Sequence, residues 1–268
     1  MTAPGSAPES VVDVLDLARE VADDAVARSV FFVAHGTRLA GSDQRYRNRY
    51  VLVRVGDSFG ACAFEEGELD PDVADLSGEP LAALLDHAAQ PLRIAAADAA
   101  LGAAAPHRDD PRAELRTLPT GTPDVRAVAR DAAVAELLAV APGTRVALIG
   151  VVNPLVAAIR ERGAEPLLAD RNLERTHWGD PVADDHRAVL AEADAVLATG
   201  MTLGNGSFDE ILAACRERDV PLAVYAQSGA AVARAFLGAG LTALSAEHFP
   251  FSQFSADASP MYLYRSAP

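Results

Sequence analysis

The chain has 268 residues, half of them hydrophobic, which suffices for one large domain or two and for a sizeable core. Its net charge of −15 repels phosphate backbones and anionic membrane surfaces, so neither nucleic acid nor membrane is an expected partner. Alanine-rich runs are broken by Asp, Glu and Arg, and no window reaches the length of a membrane span. Cys62 and Cys215 stand far apart without a CxxC, so no thiolate cage is argued and both read as small buried hydrophobes. A cytoplasmic protein is expected, and homo-oligomerisation stays open.

Residues 1–10 lack a basic segment and an apolar core, so they read as a disordered leader and not as a signal peptide. Ser10 caps a first helix in which Val11, Val14, Leu15, Ala18 and Ala22 recur at helical spacing. "SVFFVAHG" reads as a strand, and two more follow around a turn at Gly56, Asp57 and Ser58. A long Ala-rich helical segment runs from Leu81 to about Ala105, interrupted at Pro91. Strands followed by helices predict an α+β domain over 11–106. The stretch 107–125, with three prolines and many charges, reads as a linker.

From 126 to 268 the rhythm changes. A helix from Arg126 to Val140 precedes five short apolar runs, "RVALIGV", "EPLLAD", "DAVLATG", "PLAVYAQ" and "LTALSAE", separated by helical patterns. That alternation predicts an α/β unit with a mostly parallel sheet. Right-handed crossovers bring every strand-to-helix loop to one rim, where such sheets hold ligands.

Four loops reach that rim: Gly150 to Pro154, Asp170 to Arg175, Thr199 to Ser207, and Gln227 to Gly229; His248 follows the fifth strand on the same side. In "ATGMTLGNGSF", Gly200 and Gly206 permit close approach and positive φ, while Thr199, Thr202 and Asn205 offer neutral polar groups. Ser207 and Glu210 have capping-box spacing, and Asp209 and Glu210 oppose an anion at that helix start. The helices after Asn153, read as a cap, and Ser228 carry no acid in their first turns, so an anionic ligand group is expected there first. Asp170 lies twenty residues after Gly150, the spacing of a ribose-binding acid, but "GVVNPL" lacks G-x-G-x-x-G. Arg45, Arg47 and Arg49 alternate on one side of an extended segment and are expected to pair with acids of this chain. The histidines show no recognised metal-ligand spacing.

"TGMTLGNGSFDEIL", preceded by "EADAVL" and followed by "AQSGAAV", resembles the Rossmann-like domain of the family described as putative heavy-metal chelation. "RVALIGVVNP" and "EPLLADR" fit the same pattern, and "FGACAFEEG" with "LRIAAADAALGAA" is similar to the enolase N-terminal-like domain preceding it there. The likeness runs from Val11 to about Leu244; Thr199, Gly200, Thr202, Leu203, Asn205, Gly206 and Ser207 match the family's loop, and the tail from Glu247 departs from it. The resemblance implies a metal ion or metal chelate as a ligand; an adenosyl cofactor is the weaker candidate. Two functions are carried forward: binding of a polar small molecule or metal chelate in the cleft, or an enzyme of small-molecule metabolism using it. Asp170, His248 and His35 are the acid–base groups of the second reading, and no metal ligand is assigned.

Overall fold

The computed structural model describes residues 7–38 and 45–266. Ser10 starts α1 (Val11–Ala22) as its spacing predicts: its hydroxyl accepts from the Asp13 N–H, and the Asp13 carboxylate accepts from the Ser10 N–H. β1 (Ser29–Arg38), β2 (Arg45–Val55) and β3 (Ser58–Ala63) then form an antiparallel sheet in the order β1-β2-β3. The Ala-rich segment divides into α2 (Leu81–Leu85) and α3 (Gln90–Ala104), with Pro91 in the first turn of α3 where its missing N–H is no loss.

The expected linker is not wholly irregular. It carries β4 (Glu114–Leu118), which pairs antiparallel with a strand at the far end of the chain. Leu118 turns into the core while Glu114 and Arg116 stay at the surface in an ion pair, so five residues suffice for an edge strand. Of the expected leader, residues 1–6 lie outside the described residues.

α4 (Pro123–Leu137) leads into β5 (Arg145–Ile149), α5 (Asn153–Glu161), β6 (Glu165–Ala169), α6 (His186–Leu190) and β7 (Ala195–Thr199). There follow α7 (Met201–Gly204), α8 (Phe208–Arg218), β8 (Leu222–Ala226), α9 (Ala230–Arg234), β9 (Leu241–Glu247), α10 (Phe251–Phe254) and β10 (Ser259–Arg265). The seven-stranded sheet has the order β4-β10-β9-β8-β7-β5-β6; β5 to β9 are parallel and β10 is antiparallel to both neighbours. The expected α/β architecture with a mostly parallel sheet is thus what the chain forms. Among the described residues no helix is long and apolar enough to cross a membrane.

α3 is the hub of the molecule. It lies on β2 and β3 and also packs on α9 and α7, so one apolar core runs from Leu15 and Val53 through Ile94 to Val232 and Leu244. Two glycines permit this seating. A Cβ on Gly60 would stand 2.1 Å from the Ala99 nitrogen, and one on Gly204 would stand 2.6 Å from Cys62 Sγ. A second core lies on the other face, where α4 and α5 cover β5, β7 and β10 through Leu148, Leu155, Leu197 and Met261.

The tail is fastened by Arg126 of α4. This wholly buried guanidinium donates from Nη2 to the Ser252 carbonyl at 2.8 Å and from Nη1 to the Pro119 carbonyl at 2.7 Å, tying α10 and the entry to α4 together.

Candidate functional site

The sheet order reverses between β5 and β7, and ligands of open α/β sheets sit at such a point. Here side chains of the chain fill it. The Tyr225 hydroxyl donates to the Gly150 carbonyl at 2.5 Å, and a Cβ on Gly150 would meet the Thr199 methyl at 2.5 Å. Burial pushes the Tyr225 hydroxyl well above its usual pKa, so it stays a donor.

The rim residues expected from the sequence are mostly engaged with backbone. Asp170 accepts from the Val151 N–H at 2.7 Å and the Asn172 N–H at 2.8 Å, bracing the loop after β5. Burial raises its pKa, with those N–H bonds acting against the shift. Asn153 is buried, and its Oδ1 accepts from the His177 N–H at 3.1 Å. It is the first residue of α5 and not its cap; that place falls to Val152, which gives no side-chain bond. The Thr199–Ser207 loop contains one helical turn, α7. Buried Thr202 donates to the Thr199 carbonyl at 2.7 Å, which ties the turn down. Ser207 does not make the expected capping bond: it donates to Asn205 Oδ1 at 2.7 Å, a local bond that competes with the cap. Gly206 takes φ +79°, as an Asn-Gly turn requires, and is exposed. Gly200 abuts the Ser228 carbonyl, where a Cβ would stand at 2.5 Å, and Ser228 is buried. Asp209 and Glu210 do occupy the first turn of α8; they pair with the Val11 N–H and with Arg187.

The anion expected at the helix after Ser228 is supplied by the chain itself. Asp98 of α3 accepts from the Ala231 N–H of α9 at 2.7 Å and from the Ala61 N–H of β3 at 2.9 Å. Burial raises its carboxyl to about 6, and the N–H bonds hold it from rising further. Asp98 therefore links β3 to α9 and removes one expected anion seat. Its sequence signal is a lone acid inside "RIAAADAALG".

Beside Asp98 a cavity of about 520 Å³ opens at the C-terminal ends of β8 and β9. The β2–β3 turn with Phe59 forms one wall, and Gln227, Glu247, His248, Phe249 and Tyr262 form the other. His248 is the sequence-expected residue that lines it. Burial and, after it, the nearby Arg108 lower the His248 pKa, which favours the neutral imidazole. Gln227 is oriented by Gln253 of α10 at 2.6 Å, so the departing tail shapes this wall.

Below Glu247 lies a buried polar group that the sequence reading missed. Glu247 and Arg130 form a two-point ion pair, Arg130 Nη2 to Glu247 Oε2 at 3.0 Å. The neighbouring Asp131 is 5% exposed, and burial lifts its carboxyl to about 7, with Arg130 opposing and Glu247 adding to the shift. Elsewhere Arg49 pairs with Glu66 at 2.8 Å, as expected of the arginine segment.

Residues 133–246 match the model of the DUF364 family, described as putative heavy-metal chelation. That stretch is similar to DUF364 proteins. Two solved DUF364-family proteins resemble it over nearly the whole length. One, from Desulfitobacterium hafniense, is 14% identical with a TM-score of 0.61, covering 95% of this chain and 100% of its own. The other, from Pyrococcus horikoshii, is 16% identical with a TM-score of 0.59, covering 95% and 99%. At these identities the DUF364 structures establish a shared fold alone. Curated proteins gave no match.

The DUF364 description raises the question of a metal. Among the described residues no three His, Cys, Asp or Glu side chains stand together to hold an ion. Burial pushes the Cys62 thiol well up and Cys215 to about 11, away from the thiolate that binds soft metals. Among the described residues the donor set does not fit a bare heavy-metal ion.

Proposed function

We propose that the chain binds a polar small molecule in the cavity at the C-terminal edge of the seven-stranded sheet. One observation carries this reading: a space of about 520 Å³, ringed by Phe59, Phe249 and Tyr262 with Gln227 and His248 beside them, at the ends of β8 and β9. Aromatic walls with a few placed polar groups are what small-molecule sites offer. The family description adds metal chelates to the ligand classes, because an ion already wrapped in an organic chelator needs rings and hydrogen bonds and not a donor cage. In this reading His248 touches the ligand. Asn153, Asp170, Thr199, Gly200, Thr202, Asn205, Gly206 and Ser228 act behind it by holding the loops. A second reading, an enzyme of small-molecule metabolism in the same cleft, is favoured by His248, one of its expected acid–base groups, whose imidazole lines the cavity.

The test is a thermal-shift panel of amines, amino acids, adenosyl compounds and chelated metals against the full chain and against Ala103→Trp. Ala103 is an exposed position on the cavity wall, so the indole fills the space without disturbing the core. A binding compound raises the Tm of the wild type and leaves that of Ala103→Trp unchanged. A shift of equal size in both proteins, or none across the panel, overturns the reading.

A further inference from the structure

We propose that the imidazole Nε2–H of His107 is the cavity's donor for an uncharged carbonyl oxygen, so that the molecule held there carries an amide or ketone group. This rests on the cavity reading and names its ligand class. His107 lines the cavity between Pro106 and Arg108, and its ring stacks on Tyr262 of the same lining with centroids 5.9 Å apart. Its Nε2 is buried and meets no hydrogen-bond partner among the described residues. Buried polar groups are nearly always satisfied, so an unpartnered one on a residue of a cavity wall points to a bound molecule.

Neighbouring groups decide which nitrogen holds the ring proton. The Tyr264 hydroxyl stands 2.7 Å from His107 Nδ1, and Arg234 Nη1 stands 3.5 Å from the same atom. A guanidinium only donates, so Nδ1 presents its lone pair there and the hydroxyl donates to it. Arg234 is held in place by Asp110 at 3.5 Å and by the Ala105 carbonyl. Burial, with the charge of Arg234 adding to it and Asp110 opposing, lowers the His107 pKa to about 3. The ring is therefore neutral, and its single proton sits on Nε2. Nε2 is a donor, and what it lacks is an acceptor.

The charges around the cavity select that acceptor. Of the lining residues, Asp57, Asp98 and Glu247 are acids, while Arg108 is a guanidinium that leans on Asp109 at 3.7 Å. Glu247 is matched by Arg130, but Asp98 is met by backbone N–H groups. A carboxylate ligand would share the space with the Asp98 carboxylate, a like-charge contact. An ammonium group brings donors only and leaves the Nε2–H unmatched. An uncharged carbonyl oxygen accepts from Nε2–H and adds no charge. Phe59, Phe249 and Tyr262 offer faces to an aromatic body attached to it.

The probes are benzamide, benzoate and benzylammonium, which share one ring and differ in charge, on the full chain by thermal shift and calorimetry. Benzamide raises the Tm, and the other two do not. His107→Phe keeps a ring against Tyr262 and Tyr264 but removes the donor, and it weakens benzamide about tenfold, the worth of one hydrogen bond. If that variant does not fold, nitrogen NMR of histidine-labelled wild type serves as the same test. The ring assigned by its contacts with Tyr262 and Tyr264 is protonated on Nε2, and benzamide, but not benzoate, moves that N–H signal. Undiminished benzamide binding in His107→Phe, a proton on Nδ1, an Nε2–H signal that benzamide does not move, or preference for benzoate or benzylammonium overturns the inference. If benzamide fails while another compound still distinguishes the wild type from Ala103→Trp, this inference alone falls. If no compound does, the cavity reading falls with it.

Discussion

Gly60→Ala tests whether α3 is seated on β3 as closely as described. The added methyl would stand 2.1 Å from the Ala99 nitrogen and 2.2 Å from the Ala95 carbonyl oxygen, both backbone atoms that no rotamer change can move. Ordinary contact begins at 3.4 Å, so strand and helix must part by about 1.3 Å. That opening strains the core by about 1–3 kcal/mol. It also stretches the bond between the Ala61 N–H and Asp98, now 2.9 Å, leaving a buried donor unpaired for about 1–3 kcal/mol more. The sum is on the order of 4 kcal/mol, which lowers the Tm of a chain this size by roughly 10 °C. Gly102→Ala is the control: its methyl meets only the Ser58 side-chain oxygen, at 2.6 Å, which can rotate away. Thermal and urea unfolding of the two variants read the difference. A Gly60→Ala protein melting within about 2 °C of the wild type would refute the close seating of α3.

Glu247→Leu leaves Arg130 buried without its partner and destabilises the chain by about 3–5 kcal/mol in urea titration, far more than loss of the exposed Arg49–Glu66 pair. Tyr225→Phe leaves the Gly150 carbonyl without its donor at the β5–β7 crossing, a loss of about 1–3 kcal/mol seen as a lower urea midpoint at unchanged m-value. Asp98 and Asp131 hold protons in the folded chain that the unfolded chain has already released, with carboxyls at about 6 and about 7 against 3.8. Their contribution to stability is therefore fully present below pH 3.8 and is lost as pH rises through those values. Urea midpoints taken from pH 5 to pH 8 decline less steeply in Asp131→Asn than in the wild type; parallel curves would contradict the raised carboxyl of Asp131.

The parallel strands were legible because each is a short apolar run bounded by Gly, Pro or Asp, and the intervening segments change to helical spacing. β4 was not. Its five residues, "ELRTL", sit between prolines and charges, and its hydrogen bonds go to a strand whose distance along the chain no local pattern reveals. α7 was hidden inside a Gly-rich loop because its stability comes from Cys62 and Ala63 packing on Gly204, a tertiary contact. The loops at the rim were placed correctly by topology. What they do there depends on partners far away in sequence: Asp98 reaches Ala231, and Arg130 reaches Glu247. A lone Asp in an alanine run was visible, but its target across the molecule was not.

The seven-stranded sheet is completed from both ends of its half of the chain. β4 is made before the rest of its sheet, yet its strand partner is β10, the last strand among the described residues. Until then both β4 and the outer side of β9 are unsatisfied borders, open to other nascent chains. Release of a product lacking Ser259–Arg265 would make that exposure permanent, so premature termination a few residues short should yield aggregates in place of a trimmed but working molecule.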